Sequence, residues 1–115
     1  TQFIVFEDKD TYAAGGSVAW TNTDTTNFLL SCGVWAAGGN VRAYQNGTLK
    51  GTSLGTITDI GATSACELRV GAYRHDQAEN YDGKIAEVAA LKIGVDATER
   101  GILEDYFNDR HKLGI

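Results

Sequence analysis

Proline and methionine are missing altogether, cysteine and histidine occur twice each, and only 10 of the 115 residues are lysine or arginine. Each shortage excludes something. With Cys32 and Cys66 as the only thiols, and no CxxC pair or clustered histidine beside them, a zinc site of the usual kind is ruled out. Both cysteines sit in apolar, strand-like runs. They read either as small buried hydrophobes or, in a secreted chain, as one disulfide. Fifteen acids against ten bases give a net charge of −5, with the acids distributed along the chain. That field opposes nucleic acid and anionic membranes, whose partners need clustered lysine and arginine, so neither is expected as a partner. No apolar run reaches the roughly 20 residues that span a bilayer, and no signal-peptide pattern is present. The chain starts Thr1-Gln2 and has no methionine, so a processed product or a piece of a longer protein is expected.

What is abundant is glycine, 14 residues of it, together with threonine, while apolar residues make up 43%. Threonine suits half-buried strands and glycine suits turns, so the composition favours an all-β chain. The length fits a single domain over residues 1–115 with a core of its own. No internal repeat or low-complexity linker divides it.

Along the chain, "FIVF" (3–6) is short and apolar on both faces, as in a central strand. "GGSVAWTN" (15–22) and "NFLLSCGVW" (27–35) predict two more strands, and Gly38-Gly39 a turn. In "VRAYQNGTLKGT" (41–52) two extended runs flank Asn46-Gly47. That pair tolerates the positive φ angles of a two-residue type I′ hairpin. Asn46-Gly47-Thr48 also fits the N-glycosylation pattern, but the turn explains it completely. "CELRVGAY" (66–73) alternates, with Cys66, Leu68, Val70 and Ala72 on one face, and predicts a strand covering a core. "KIAEVAALKI" (84–93) is apolar on both faces and predicts a strand inside a sheet.

The tail changes period. Asp96 is placed as an N-cap with Glu99 three residues on, a capping box. Ile102, Leu103, Tyr106 and Phe107 recur at helical spacing. Arg110, His111 and Lys112 stand at the negative end of the helix dipole, and Gly114 is placed to supply the left-handed C-cap. Trp20, Trp35, Tyr106 and Phe107 are read as core. About eight strands separated by turns, then one helix, predict an all-β antiparallel β-sandwich, a jelly roll, with one C-terminal α-helix.

Three stretches carry a resemblance. "VRAYQNGTLKGT", "LRVGAYRHDQAENYDGKIAEVAALK" and "VDATERGILEDYFNDRHKLGI" resemble the NG hairpin, the late strand pair and the terminal helix of the concanavalin-A-like lectin/glucanase superfamily. The likeness is to the laminin-G-like jelly rolls found in phage structural proteins and secreted bacterial proteins. It covers residues 41–115; the first 40 residues match only in strand character. Domains of that family are usually longer, so the resemblance implies either a fragment or a reduced sheet whose edge a neighbour covers. The second case implies an oligomer or a larger assembly. Family members include lectins, adhesion domains, virion modules and some glycosidases, so the resemblance implies a fold and leaves the function to the site.

The loop between the two late strands is the candidate site. Tyr73, Arg74, His75, Asp76, Asn80 and Tyr81 combine aromatic platforms with directional hydrogen-bonding groups, the two things a sugar needs. Laminin-G-like domains often bind calcium and sugars through such rim loops. Asp76, Glu79, Asn80 and Asp82 are hard oxygen ligands of the type Ca²⁺ takes, with Asp8 and Asp10 if the fold brings them near. The spacing matches no EF-hand, so no metal and no cofactor is assigned. The alternative reading is a solvated connection turned by Asp82-Gly83.

Catalysis is not expected. A glycosidase needs two carboxylates about 5–5.5 Å apart for retention, or further apart for inversion. The "E-x-D-x-x-E" strand of the family's glucanases is absent. Glu87 stands alone, with Ile85 and Ala89 on its face of the strand, and reads as a carboxylate satisfied by backbone N–H groups or an arginine such as Arg69. No Ser/His/Asp or Cys/His arrangement forms, since His75 lies in a loop and His111 at a helix end. Three readings stand: a lectin-like recognition module, virion-borne or extracellular, binding glycan or a surface partner; a structural virion module contacting other subunits; and a fragment of a glycosidase.

Overall fold

The computed structural model describes residues 2–5, 16–36, 38–57, 70, 82–91 and 94–115. Among these residues lie five strands and one helix: β1 (Gln2–Val5), β2 (Ser17–Trp20), β3 (Ser31–Val34), β4 (Gly39–Gln45), β5 (Thr48–Ile57) and α1 (Ala97–His111). β1 and β2 pair antiparallel, Gln2 opposite Trp20 and Val5 opposite Ser17. β3, β4 and β5 form a second antiparallel sheet in that order.

The β4–β5 turn is built as its sequence predicts. Asn46 (φ 50°) and Gly47 (φ 78°) both occupy the left-handed region, the conformation a type I′ hairpin demands. Asn46 also does a second job. Its N–H donates to the Leu30 carbonyl at 2.9 Å, and its Oδ1 accepts from the Leu30 N–H at 2.9 Å. The turn therefore fixes where the chain begins β3.

β5 is longer than β4 and bulges to fit, with register shifts between Asn40 and Arg42 and between Ala43 and Tyr44. A bulge interrupts the ladder and leaves backbone groups to be satisfied elsewhere. Ser53 Oγ accepts from the Val41 N–H at 2.9 Å and donates to the Gly55 carbonyl at 2.8 Å. Asn40 Nδ2 donates to the carbonyls of Ser53 and Gly55. Two polar side chains thereby replace the missing backbone partners.

The core lies between the two sheets. Val18 and Trp20 of β2 meet Val41 and Ala43 of β4 and Ile57 of β5, with Trp35 partly buried against them. β2 alternates exposed and buried positions, as a strand with one covered face should. It crosses β5 so closely that a Cβ on Gly51 would come within 2.8 Å of Val18 Cγ1. The Trp35 indole N–H and the Gly38 N–H both donate to the Ile57 carbonyl, at 3.1 and 2.8 Å. Both tryptophans thus belong to the core region, as expected. The Trp20 indole N–H is buried without a partner among the described residues.

α1 opens with the predicted capping box: Asp96 Oδ1 accepts from the Glu99 N–H at 2.8 Å, and Glu99 Oε2 from the Asp96 N–H at 2.9 Å. Its other end departs from expectation. The left-handed cap is Lys112 (φ 54°, ψ 49°), whose N–H donates to the Asn108 carbonyl; Gly114, also at positive φ, follows two residues later. The stripe facing the protein differs too. Leu103 and Phe107 are half-buried, but Ile102 and Tyr106 are 64% and 48% exposed, so Tyr106 is not core. The reason is the docking contact. Arg100 stacks its guanidinium 3.8 Å from the Tyr44 ring centroid and pairs with Glu104 at 3.0 Å. Glu104 in turn reaches Gly47, where a Cβ would lie 3.2 Å from its Oε2. These polar anchors on the 100/104 face rotate Ile102 and Tyr106 outward.

The described residues thus show a mainly antiparallel β fold with one C-terminal helix, carrying fewer strands than the predicted eight. The strand predicted at 84–93 does not form over its described part: residues 84–91 are irregular and exposed. A strand apolar on both faces needs ladder partners and cover on both sides, and residues 84–91 pair with no described strand. Glu87 is consequently not a strand residue. Of the strand predicted at 66–73 only Val70 is described, and it is exposed. Cys32 is a free, half-buried thiol, pushed up in pKa by burial and then by the Glu104 carboxylate. Cys66 lies outside the described residues.

Candidate functional site

Tyr73, Arg74, His75, Asp76, Asn80 and Tyr81 all lie outside the described residues, as do Asp8, Asp10 and Glu79. Of the residues proposed for calcium, only Asp82 is described, and it is exposed. Among the described residues no group of three or more His, Cys, Asp or Glu side chains is placed to hold a metal, and no helix is long and apolar enough to cross a membrane. The functional groups that the described residues bring together lie elsewhere, around the end of α1.

One wall of this site is the turn between β2 and β3. Asn22 Oδ1 accepts from the Asp24 N–H at 3.1 Å, while its Nδ2 donates to the Asp24 carbonyl at 2.6 Å. Asp24 Oδ1 then accepts from the Thr26 N–H (2.9 Å), the Thr26 hydroxyl (3.1 Å) and the Asn27 N–H (3.1 Å). Asp24 Oδ2 accepts from Asn27 Nδ2 at 2.9 Å. Asx side chains closing their own backbone in this way favour a turn over a strand. The Asn27 amide and the Thr26 and Asn27 N–H groups lower the Asp24 carboxyl to about 2. The stiffened turn presents the Phe28 ring at 51% exposure.

The opposite wall is the end of α1. An open cleft of about 200 Å³ lies between the two, lined by Thr26, Asn27 and Phe28 on one side and His111, Lys112 and Leu113 on the other. His111 is held from behind. Its Nε2 lies 2.7 Å from Glu87 Oε2, the same oxygen that Arg110 Nε reaches at 2.8 Å. The Tyr106 hydroxyl donates to Glu87 Oε1 at 3.3 Å. The Phe107 ring stacks on the imidazole, with 6.3 Å between centroids and 16° between planes. The hydrogen bond from His111, helped by Arg110 and Tyr106, holds the Glu87 carboxyl below the usual carboxylate range against its partial desolvation. Glu87 is therefore satisfied by an arginine, as the sequence suggests, but by Arg110 of the helix; Arg69 lies outside the described residues.

The Thr26 hydroxyl donates to Asp24. The Asp24 carboxylate accepts four hydrogen bonds, and Glu87 meets His111, Arg110 and Tyr106. An amide, a hydroxyl, an imidazole, an ammonium and an aromatic ring line the open cleft, the first three already holding a partner within the protein.

The sequence reading did not find this cleft. "TNTDTTNF" carried the Asx-turn chemistry in plain view, but nothing local says that the turn faces the end of α1. No protein-family model matches the chain, and neither a curated protein nor a solved structure is significantly similar to it.

Proposed function

We propose that the chain is a non-catalytic recognition module, binding carbohydrate or a surface partner, and that it works in a virion or extracellular setting. The observation that carries this reading is the cleft: one half-exposed aromatic ring opposite polar groups that do not form a catalytic set. Sugars are bound by that combination, a flat apolar platform with directional hydrogen bonds around it. Two antiparallel sheets enclosing one core are compatible with a complete concanavalin-A-like jelly roll, which we propose as the full architecture. The loop holding Tyr73, Arg74, His75, Asp76, Asn80 and Tyr81 is kept as a second proposed rim.

A glycan array, run with calcium and again with EDTA, tests the reading. Phe28→Ala and Tyr81→Ala run in parallel assign any hit to one rim or the other. A hit lost in Phe28→Ala supports the cleft, whereas a hit lost only in EDTA and in Tyr81→Ala moves the site to the loop and restores calcium. No hit under either condition sinks the recognition reading.

A second reading is favoured by a different observation. Leu54 on β5, Ile85, Val88 and Leu91 in the 84–91 segment and Ile102 on α1 are exposed large apolar residues. A structural virion module, contacting other subunits through such residues, would self-associate in sedimentation analysis and bind no glycan.

A further inference from the structure

Resting on the recognition reading, we propose that the cleft between residues 26–28 and 111–113 takes an anionic saccharide, with Lys112 as the counter-charge to its carboxylate or sulfate. The charges around the cleft carry the inference. Two carboxylates stand behind its walls, and both are spent. Asp24 accepts four hydrogen bonds within its own turn. Glu87 is neutralised by Arg110, hydrogen-bonded to His111 and capped by Tyr106. Arg110 is occupied in the same cluster. The Lys112 ammonium is what remains on the lining, exposed and in no ion pair among the described residues. The chain as a whole is acidic, at −5, so a lone cation at a cleft is a local exception to its field.

The φ of 54° at Lys112 belongs to the helix C-cap, where its N–H closes on the Asn108 carbonyl, and it fixes where the lysine leaves the helix end. Lysine here is also suited to the helix terminus, whose negative end would otherwise repel an anion.

The choice of a saccharide over a bare anion comes from the other wall. Phe28 lines it with a half-exposed aromatic side chain, beside the polar Asn27 and Thr26. The volume of about 200 Å³ is smaller than the roughly 300–1,000 Å³ clefts that enclose drug-sized ligands. It suits one sugar ring, with the remainder of a glycan in solvent.

The test is a titration of the ¹⁵N-labelled chain with methyl glucuronide, glucose 6-sulfate, methyl glucoside and inorganic sulfate. The expected result is amide shifts confined to 26–28 and 111–113, with the anionic sugars roughly tenfold tighter than methyl glucoside, the worth of one charge-assisted contact. Lys112→Gln should erase that preference. Lys112→Gly should erase it too while raising Tm, because the left-handed cap becomes relaxed, so lost binding cannot be assigned to lost folding. Equal affinity for methyl glucoside, or an unchanged preference in Lys112→Gln, overturns the anionic part and leaves the recognition reading intact. Inorganic sulfate binding as tightly as glucose 6-sulfate overturns the saccharide part. Shifts elsewhere, or none, overturn the site, and the glycan array then decides the recognition reading separately.

Discussion

Two alanine substitutions three residues apart on β5 test which way the longest strand faces. Ile57 has no accessible surface and Leu54 is fully exposed. Truncating a buried isoleucine to alanine costs about 2–5 kcal/mol, and the cost depends on how far the surroundings collapse into the space left. Here collapse is restricted. Ala43 is fixed by the β4 ladder, the Val41 N–H is held by Ser53 Oγ, and the Ile57 carbonyl is itself pinned by Trp35 and Gly38. Ile57→Ala should therefore fall in the middle or upper part of the range, about 3–4 kcal/mol. Leu54→Ala should stay within about 0.5 kcal/mol, as exposed substitutions do. Urea denaturation followed by the fluorescence of Trp20 and Trp35, both at the core, reads the difference directly. With a slope of about 1.5 kcal/mol per molar, Ile57→Ala lowers the midpoint by about 2 M, and Leu54→Ala shifts it by about 0.3 M at most. Equal effects, or a larger one at Leu54, would mean that the face of β5 and the core built on it are wrongly assigned.

Three further perturbations probe other parts of the fold. Asn46→Ala removes a residue suited to positive φ and leaves the part-buried Leu30 N–H without its acceptor. It should destabilise by about 2 kcal/mol in the same assay, of which about 1 kcal/mol reflects the left-handed backbone. Because the Asp24 carboxyl is held down at about 2, its contribution to the 22–28 turn is complete above about pH 4, the unfolded carboxylate value. It disappears as the pH falls towards about 2. The amide shifts of Thr26 and Asn27 should titrate with that low midpoint, and an ordinary carboxylate midpoint would refute the hydrogen-bond network. Glu87→Gln removes the charge that Arg110 and His111 share. The side-chain resonances of Arg110 and His111 should shift while amide protection at Ile57 is unchanged, and a loss of that protection would show that Glu87 belongs to the global fold.

Local chemistry was readable where a short stretch fixes its own geometry. Asn46-Gly47 requires positive φ whatever surrounds it, and Asp96 with Glu99 satisfies the helix N-terminus without help from elsewhere; both formed as predicted. The failures lie where the answer depends on a partner far along the chain. "KIAEVAALKI" has the composition of a buried strand, but composition cannot supply an edge to pair with. The apolar stripe of α1 predicted one docking face, and Arg100 on Tyr44 selected another, because a cation over a ring outweighs a few half-covered aliphatic contacts. Gly114 is the residue expected at a left-handed cap, and only the path of the chain past Asn108 shows that Lys112 takes that place. The cleft illustrates the same limit: each wall is legible from its own residues, and their juxtaposition is tertiary.

The asparagine of the β4–β5 turn has a consequence for the order in which the chain folds. A two-residue hairpin closes within about 1–10 μs, and closing this one places the Asn46 N–H and side-chain oxygen ready for Leu30. The third strand is then captured by a site that already exists, at a separation of 16 residues, so its loop-closure entropy is modest. Docking of β2 onto β5, and of α1 over Tyr44, closes longer loops and belongs to later, slower events. The three-stranded sheet is thereby the natural nucleus. Damage at Asn46 should be felt mainly as slower folding, and damage at the β2 or α1 contacts as faster unfolding.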